Sequence, residues 1–203
     1  MNKQVIITNG TGGCGKDTFA KFVSQYCNTY KYSSIDKVKD VAKQCGWQGS
    51  KLEKGRKFLS DLKLLTTEYN DMPFIDLKEI VRDFNANLIP ARLLLIDIRE
   101  PNEIERAKKE FNAITVLIKN DNVKHITSNM ADANVFDYDY DYVIDNSGSL
   151  EELEEKAKWF VNEVVEKRKS ICDNIVACEI DLGQLEYSDR KGFQVGIQKE
   201  DLI

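Results

Sequence analysis

The stretch GTGGCGKDTFA, residues 10–20, places closely spaced glycines directly before a lysine, an aspartate and a threonine. An apolar run, Val5–Ile7, precedes it as a short buried strand would, and apolar residues recur at helical spacing after it. The glycines therefore join a strand to a helix that begins near Lys16. Because a helix start carries unpaired N–H groups and partial positive charge, a lysine there costs about 0.3–1 kcal/mol unless an anion lies between them. Phosphate is the anion that suits this arrangement.

Glycines in such a loop allow consecutive backbone N–H groups to wrap a polyphosphate while the lysine reaches its outer oxygens. The spacing from Gly10 to Gly15 and Lys16 fits the P-loop pattern GxxxxGK. The last position departs from that pattern, because Asp17 stands where a serine or threonine would bind magnesium. The predicted nucleotide-binding residues are Gly10, Thr11, Gly12, Gly13, Cys14, Gly15, Lys16, Asp17 and Thr18.

The same glycines permit a second interpretation. Gly10, Gly12 and Gly15 also spell GxGxxG, and Asp36 follows at the distance where a dinucleotide-binding fold places its ribose-binding carboxylate. Spacing alone leaves a dinucleotide-dependent oxidoreductase open. Lys16 favours the P-loop, because the dinucleotide motif has no use for a cation directly after its third glycine.

Phosphoryl transfer also needs a metal anchor and extra cations. Asp17 can hold hydrated Mg²⁺, which prefers oxygen ligands and keeps several waters, or it only stabilises the first helical turn. Asp97 and Arg99 follow an apolar strand, at the edge where ligands of parallel sheets bind. We expect Asp97 to anchor magnesium or water and Arg99 to neutralise the moving phosphate, the alternative being local ion pairs with nearby glutamates. With Lys16, these are the predicted catalytic residues.

The variant GKDT resembles the P-loop of phage-type deoxynucleoside monophosphate kinases and their nucleotide-kinase-like relatives, with adenylate kinases and animal phosphomevalonate kinases more distant. The resemblance continues in IDKVKDVAKQCGW, GRKFLSDL, LLLIDIREPNEI and DYVIDNSGSLEEL, and it covers residues 3–165. It implies a kinase that uses ATP and Mg²⁺. Thr18 would then bond an α-phosphate oxygen of the nucleotide.

The resemblance also implies where the phosphate acceptor binds. Arg56, in a helical region at residues 50–88, would grip the acceptor's phosphate, because a guanidinium binds two oxygens in a planar fork. Asp36 and Lys39 would contact the acceptor after the second strand. A short lid is expected at residues 119–136, but this segment contains no arginine, and Lys119, Lys124 and His125 are its available substitutes.

Strands that alternate with helices predict parallel crossovers. We therefore expect residues 1–168 to form a three-layer α/β/α domain of the P-loop NTPase type, with a parallel sheet of about five strands. Residues 169–203 have short apolar runs and turn signals, which indicate a small β-rich extension. Two roles stay open for it: self-association into a homodimer, or exposed decoration of the surface.

Composition limits the partners and the location. The net charge of −5 among 203 residues predicts no binding to a nucleic acid duplex. The five cysteines are odd in number and form no CxxC pair, which favours reduced thiols. No signal segment or membrane-spanning run is evident, so a cytoplasmic protein without membrane contact is expected. Cys14 lies near the helix start, where a thiolate is favoured and ATP would protect it from alkylation.

These patterns predict ATP-dependent phosphoryl transfer to a small phosphorylated acceptor, a nucleoside or deoxynucleoside monophosphate. The partners are then small-molecule nucleotides. A nucleotide-binding or sensing protein without efficient transfer is a second hypothesis, supported by the missing lid arginines. The oxidoreductase is a third.

Overall fold

A five-stranded parallel sheet lies between two layers of helices in the computed structural model, which describes residues 3–50, 52–123 and 134–166. The strands are β1 (Gln4–Asn9), β2 (Thr29–Ser33), β3 (Leu93–Asp97), β4 (Ile114–Lys119) and β5 (Tyr142–Asp145). Their order is β2-β3-β1-β4-β5, and every neighbouring pair is parallel. The predicted fold class, a three-layer α/β architecture with a parallel sheet, is confirmed.

The helices supply the crossovers that parallel strands require. They are α1 (Lys16–Tyr26), α2 (Asp36–Gln44), α3 (Glu53–Asn70), α4 (Met72–Asn85), α5 (Pro101–Phe111) and α6 (Leu150–Phe160), and a π-helical turn, Val161–Glu166, follows α6. Pro101 occupies the first position of α5, where its missing N–H has no intrahelical partner to lose. The Ser149 side chain caps α6 by accepting a hydrogen bond of 3.3 Å from the Glu152 backbone N–H.

One face of the sheet packs against α1 and α6. Phe19 of α1 and Phe160 of α6 are fully buried there, and their rings meet edge to face with centroids 5.7 Å apart. Leu93 and Leu95 reach this first core from β3, because successive side chains of a strand point to opposite faces.

The other face packs against α4 and α5. Leu94 and Ile96 of β3 point into this second core, together with Phe84 of α4 and Ile104 of α5. Helices α1 and α5, which follow the neighbouring strands β1 and β3, therefore lie on opposite faces. Open α/β sheets bind their ligands at the carboxyl ends of two such strands.

The helical region at 50–88 is confirmed as two helices, and Asp71, with a φ of 56°, separates α3 from α4. Two apolar side chains at the ends of their helices lie outside the core. Leu150 is 62% exposed, because the buried stripe of α6 begins one turn later, at Leu153. Cys45 is exposed at the carboxyl cap of α2, whose buried residues are Val38 and Ala42.

The proposed extension at 169–203 lies outside the described residues, as do Lys124 and His125 of the expected lid. Within the ranges that the structure does describe, no helix has both the length and the apolar character needed to cross a bilayer.

Replacing Phe160 with alanine is expected to lower the free energy of unfolding by about 3–5 kcal/mol, because the ring fills the first core between α1 and the sheet. Leu150→Ala on the same helix is the matched control, and its exposed side chain predicts a change within about 0.5 kcal/mol. Urea unfolding followed by circular dichroism measures both values. Similar losses in the two variants would contradict the assigned helix face.

Candidate nucleotide-binding site

The glycine-rich loop runs from the end of β1 to the start of α1, as a P-loop does. Gly10 and Gly15 have positive φ values of 149° and 97°. A Cβ atom on Gly10 would lie 2.4 Å from the carbonyl oxygen of Ile118, and one on Gly15 would lie 2.2 Å from Nδ2 of Asn146. Gly10 therefore requires glycine for both conformation and space, and Gly15 requires it for its backbone conformation.

Lys16 is the first residue of α1, and its side chain folds back over the loop. The ammonium donates a hydrogen bond of 2.6 Å to the carbonyl oxygen of Gly10 and lies 3.4 Å from that of Thr11. Its charge is thus held against the loop and close to the positive end of the helix. A polyphosphate lying on the loop would meet the backbone N–H groups and this ammonium together.

Two asparagines that the sequence interpretation missed hold the loop in place. Asn9 is fully buried; its Oδ1 accepts from the backbone N–H of Gly10 at 2.8 Å, and its Nδ2 donates to the carbonyl of Arg99 at 3.0 Å. Asn146 follows β5 and donates to the carbonyl of Cys14 at 2.8 Å. The available signal was a polar residue at the carboxyl end of a strand, Asn9 for β1 and Asn146 for β5. Together they tie the loop to the ends of β3 and β5.

The predicted metal residues Asp17 and Asp97 meet at a third residue that the sequence interpretation missed. Asp97 accepts a hydrogen bond of 2.6 Å from the Thr8 hydroxyl through Oδ1, and its Oδ2 lies 3.0 Å from the ammonium of Lys31. The same ammonium forms an ion pair with Asp17. Lys31 therefore bridges the start of α1 and the end of β3.

These three charged groups stabilise one another. Hydrogen bonding to Lys31 lowers the pKa of Asp17, whose side chain is 93% exposed. Burial alone would lower the pKa of Lys31, but its contacts with Asp17 and Asp97 outweigh burial and raise it. An opposite charge at hydrogen-bond distance favours the charged form of each partner. The contact between them thus favours the charged forms of Asp17 and Lys31.

The chemistry of these donors fits Mg²⁺. Asp17 and Asp97 direct hard carboxylate oxygens at one cation position, which Lys31 now fills. Among the described ranges, no group of three or more histidine, cysteine, aspartate or glutamate side chains could form a complete protein cage for a metal. Mg²⁺ characteristically uses one or two carboxylates and completes its shell with waters and substrate phosphates.

Thr18, predicted to contact an α-phosphate, is half-buried in the first turn of α1. Asp36 and Lys39, predicted to bind the acceptor, pair with each other at 2.7 Å in the first turn of α2. Asp36 also accepts from the backbone N–H of Ser33 at 3.0 Å. Local contacts therefore explain this pair, and its acceptor role stays a prediction.

The two predicted arginines belong to different elements. Arg56 lies on the exposed side of the first turns of α3, and Arg99 lies two residues after β3 with its side chain exposed. Two of the glutamates near Arg99, Glu100 and Glu103, contact Lys63 at 3.4 and 2.7 Å. Phosphate binding by either arginine stays a prediction. In the described part of the expected lid, Lys119 pairs with Asp121 at 2.9 Å.

The expectation of a reactive thiolate at Cys14 is wrong. Cys14 is 1% exposed and belongs to the first core. Burial raises the pKa of its thiol, and the nearby positive charge of Lys16 offsets this only in part. The side chain points back toward Gly10 and away from the solvent side of the loop, so it serves packing.

No family model and no curated protein matches the chain. Among solved structures, shikimate kinase from Aquifex aeolicus is similar over 78% of this chain and 96% of its own, with 14% identity and a TM-score of 0.46. A sugar kinase from Janibacter is similar over 81% and 96%, with 12% identity and a TM-score of 0.44. APS kinase from Mycobacterium tuberculosis is similar over 80% and 99%, with 10% identity and a TM-score of 0.38. Similarity at this level does not extend to a substrate.

Iodoacetamide is expected to alkylate Cys45 in the native protein about ten-fold or more faster than Cys14, because only the thiolate reacts and Cys14 is buried with a raised pKa. Cys14 should react slowly with and without ATP. Mass spectrometry of tryptic peptides gives the two rates, and the denatured protein, in which both should react alike, is the control. Rapid labelling of native Cys14 would contradict its burial.

Proposed function

We propose that this chain is an ATP-dependent phosphotransferase whose acceptor is a nucleoside or deoxynucleoside monophosphate. The observation that carries the proposal is the Lys16 ammonium, folded over a glycine loop at a helix start beside two carboxylates that converge on one cation position. Phosphoryl transfer is mostly positioning and neutralisation of charge, and this cluster supplies both.

The loop holds the donor. Backbone N–H groups of 10–15 wrap the phosphates, and Lys16 exchanges its contacts with loop carbonyls for contacts with the outer phosphate oxygens. Thr18 donates to an α-phosphate oxygen. Because Asn9 and Asn146 fix the loop from both sides, little conformational freedom is lost when the nucleotide binds.

Asp17 and Asp97 hold Mg²⁺, which neutralises charge on the donor's phosphate oxygens when it is bound. The Thr8 hydroxyl orients the Asp97 carboxylate by donating to Oδ1, so that Oδ2 is left for the cation position. The two carboxylates come from different elements, and their spacing is therefore set by the packing of α1 on the sheet.

Arg56 binds the phosphate of the acceptor in a bidentate manner, and Asp36 and Lys39 contact the rest of that molecule. Arg99, at the end of β3, neutralises the phosphoryl group as it moves. Direct in-line transfer suffices, with no covalent enzyme intermediate.

A second candidate is a nucleotide-binding or sensing protein without efficient transfer. It is favoured by one observation, the absence of arginine from residues 119–136, where nucleotide kinases close an arginine-bearing lid over the donor. The dinucleotide-dependent oxidoreductase is disfavoured by Lys16, because the dinucleotide-binding motif does not use a cation directly after its third glycine.

A cytoplasmic location belongs to the proposal, because the chain has an odd number of cysteines without a CxxC pair. Assembly as a homodimer through residues 169–203 is proposed with it.

The proposal is tested with a panel of nucleoside and deoxynucleoside monophosphates, ATP and Mg²⁺, scored for ADP release that depends on the acceptor. Lys16→Ala should lower ATP affinity about 10- to 100-fold, since charged hydrogen bonds contribute about 1.5–3 kcal/mol. Lys21→Ala, an exposed lysine on the same helix, is the matched control. ATP binding that depends on Lys16 without ADP release would favour the sensing protein. Binding of NAD that survives Lys16→Ala would favour the oxidoreductase.

Arg56→Met should raise the KM for the monophosphate about 10- to 100-fold, because a bidentate charged contact is lost, and should leave ATP affinity unchanged. The matched control is Lys57→Met, since Lys57 is the exposed neighbour and pairs with Asp61 at 2.8 Å. Steady-state kinetics and ATP titration separate the two effects. An unchanged KM would remove Arg56 from the acceptor site.

A further inference from the structure

We infer that Lys31 is a built-in competitor for the metal position: its ammonium bridges Asp17 and Asp97 when no metal is bound, and a divalent cation must displace it. The inference rests on the proposed function in so far as that function makes these carboxylates cation ligands. No role for Lys31 follows from the P-loop motif itself.

The backbone places Lys31 at this position. In the parallel pairing of β2 with β3, Ser33 lies opposite Asp97 and Lys31 opposite Leu95. Alternation along the strands puts Lys31, Asp97 and Thr8 on the sheet face that α1 covers. From there the side chain of Lys31, which is 33% exposed, reaches the first turn of α1 at Asp17.

The charges make the bridge and the metal mutually exclusive. Without Lys31, the two carboxylates would face one point without an ammonium between them, and Lys16 and Lys39 would act on Asp17 through their charge only. With Lys31, one positive charge lies at hydrogen-bond distance from both carboxylates. Mg²⁺ binds oxygen at about 2.0–2.1 Å, so an ion bound to these same oxygens would be in contact with the ammonium. Repulsion between the two cations at that distance forces the lysine out.

Lysine suits such an exchange, because it is a compact charge on a flexible stem of four carbons. The chain thereby disfavours a metal that arrives without a nucleotide, and phosphate oxygens offer the displaced ammonium new partners. Lys31 therefore acts on cation binding by occupying the position that the cation would take.

The test is Mn²⁺ binding without nucleotide or acceptor, followed by the electron paramagnetic resonance signal of the free ion. Lys31→Met should bind Mn²⁺ about ten-fold or more tightly than the wild type, because the competing charge is gone. Lys43→Met, which removes an exposed lysine paired with Asp40 at 2.9 Å, should match the wild type. Adding Asp97→Asn to Lys31→Met should abolish the gain. Equal or weaker binding by Lys31→Met would overturn the inference.

Thermal unfolding gives a second measurement, the change in Tm on adding Mn²⁺. A merely structural ion pair would not alter that change. Mn²⁺ should raise the Tm of Lys31→Met by more than it raises that of the wild type, because a ligand that binds only the folded state stabilises it by an amount that grows with the logarithm of its affinity. Lys31→Gln replaces Lys31→Met if the latter does not fold. A loss of Tm that Mn²⁺ does not restore would assign Lys31 a structural role only.

Failure of the Mn²⁺ measurements can be distinguished from failure of the proposed phosphotransferase activity. Mn²⁺ binding uses neither ATP nor an acceptor, so a panel of monophosphates that yields no ADP leaves the metal competition standing. Conversely, ADP release without any effect of Lys31→Met on Mn²⁺ binding would remove the competition and leave the phosphotransferase.

Discussion

The site depends on keeping a positive charge against the positive end of a helix. Lys16 begins α1, and its ammonium is held there by the carbonyl oxygens of Gly10 and Thr11. That contact is available only because the loop bends back through glycines at positive φ and is fixed by Asn9 and Asn146. The loop is therefore organised around a cation before any phosphate arrives.

The two cores of the sheet decide what lies next to that loop. Because α1 packs on one face and α5 on the other, the carboxyl ends of β1 and β3 form the point at which open α/β sheets bind their ligands. Thr8 and Asp97 are paired in register there, and their side chains share a hydrogen bond of 2.6 Å. Strand pairing thus sets the position of the Asp97 carboxylate, and the hydrogen bond from the Thr8 hydroxyl sets its orientation.

The charged groups at this edge of the sheet link α1 to β3. Lys31 neutralises Asp17 and Asp97 from the edge strand β2, so the carboxylates are held together although α1 and β3 are separate elements. A P-loop with an aspartate in place of the hydroxyl needs some such cation, because two facing carboxylates repel each other. The departure from the usual motif and the lysine on β2 therefore belong to one electrostatic arrangement.

The sequence by itself determined the alternation of strands and helices, the glycine loop and the helical region at 50–88, because periodicity and glycines act through neighbours in the chain. It also brought out Lys16, Asp17 and Asp97 by their local context. Tertiary structure decided that Cys14 is a core residue and that Lys31 and Asn146 reach the loop. Those facts arise from the pairing of β2 with β3 and from the end of β5, contacts between residues far apart in the chain. A lysine in TYKYS carries no local sign of its partners until the strand register places it beside two carboxylates.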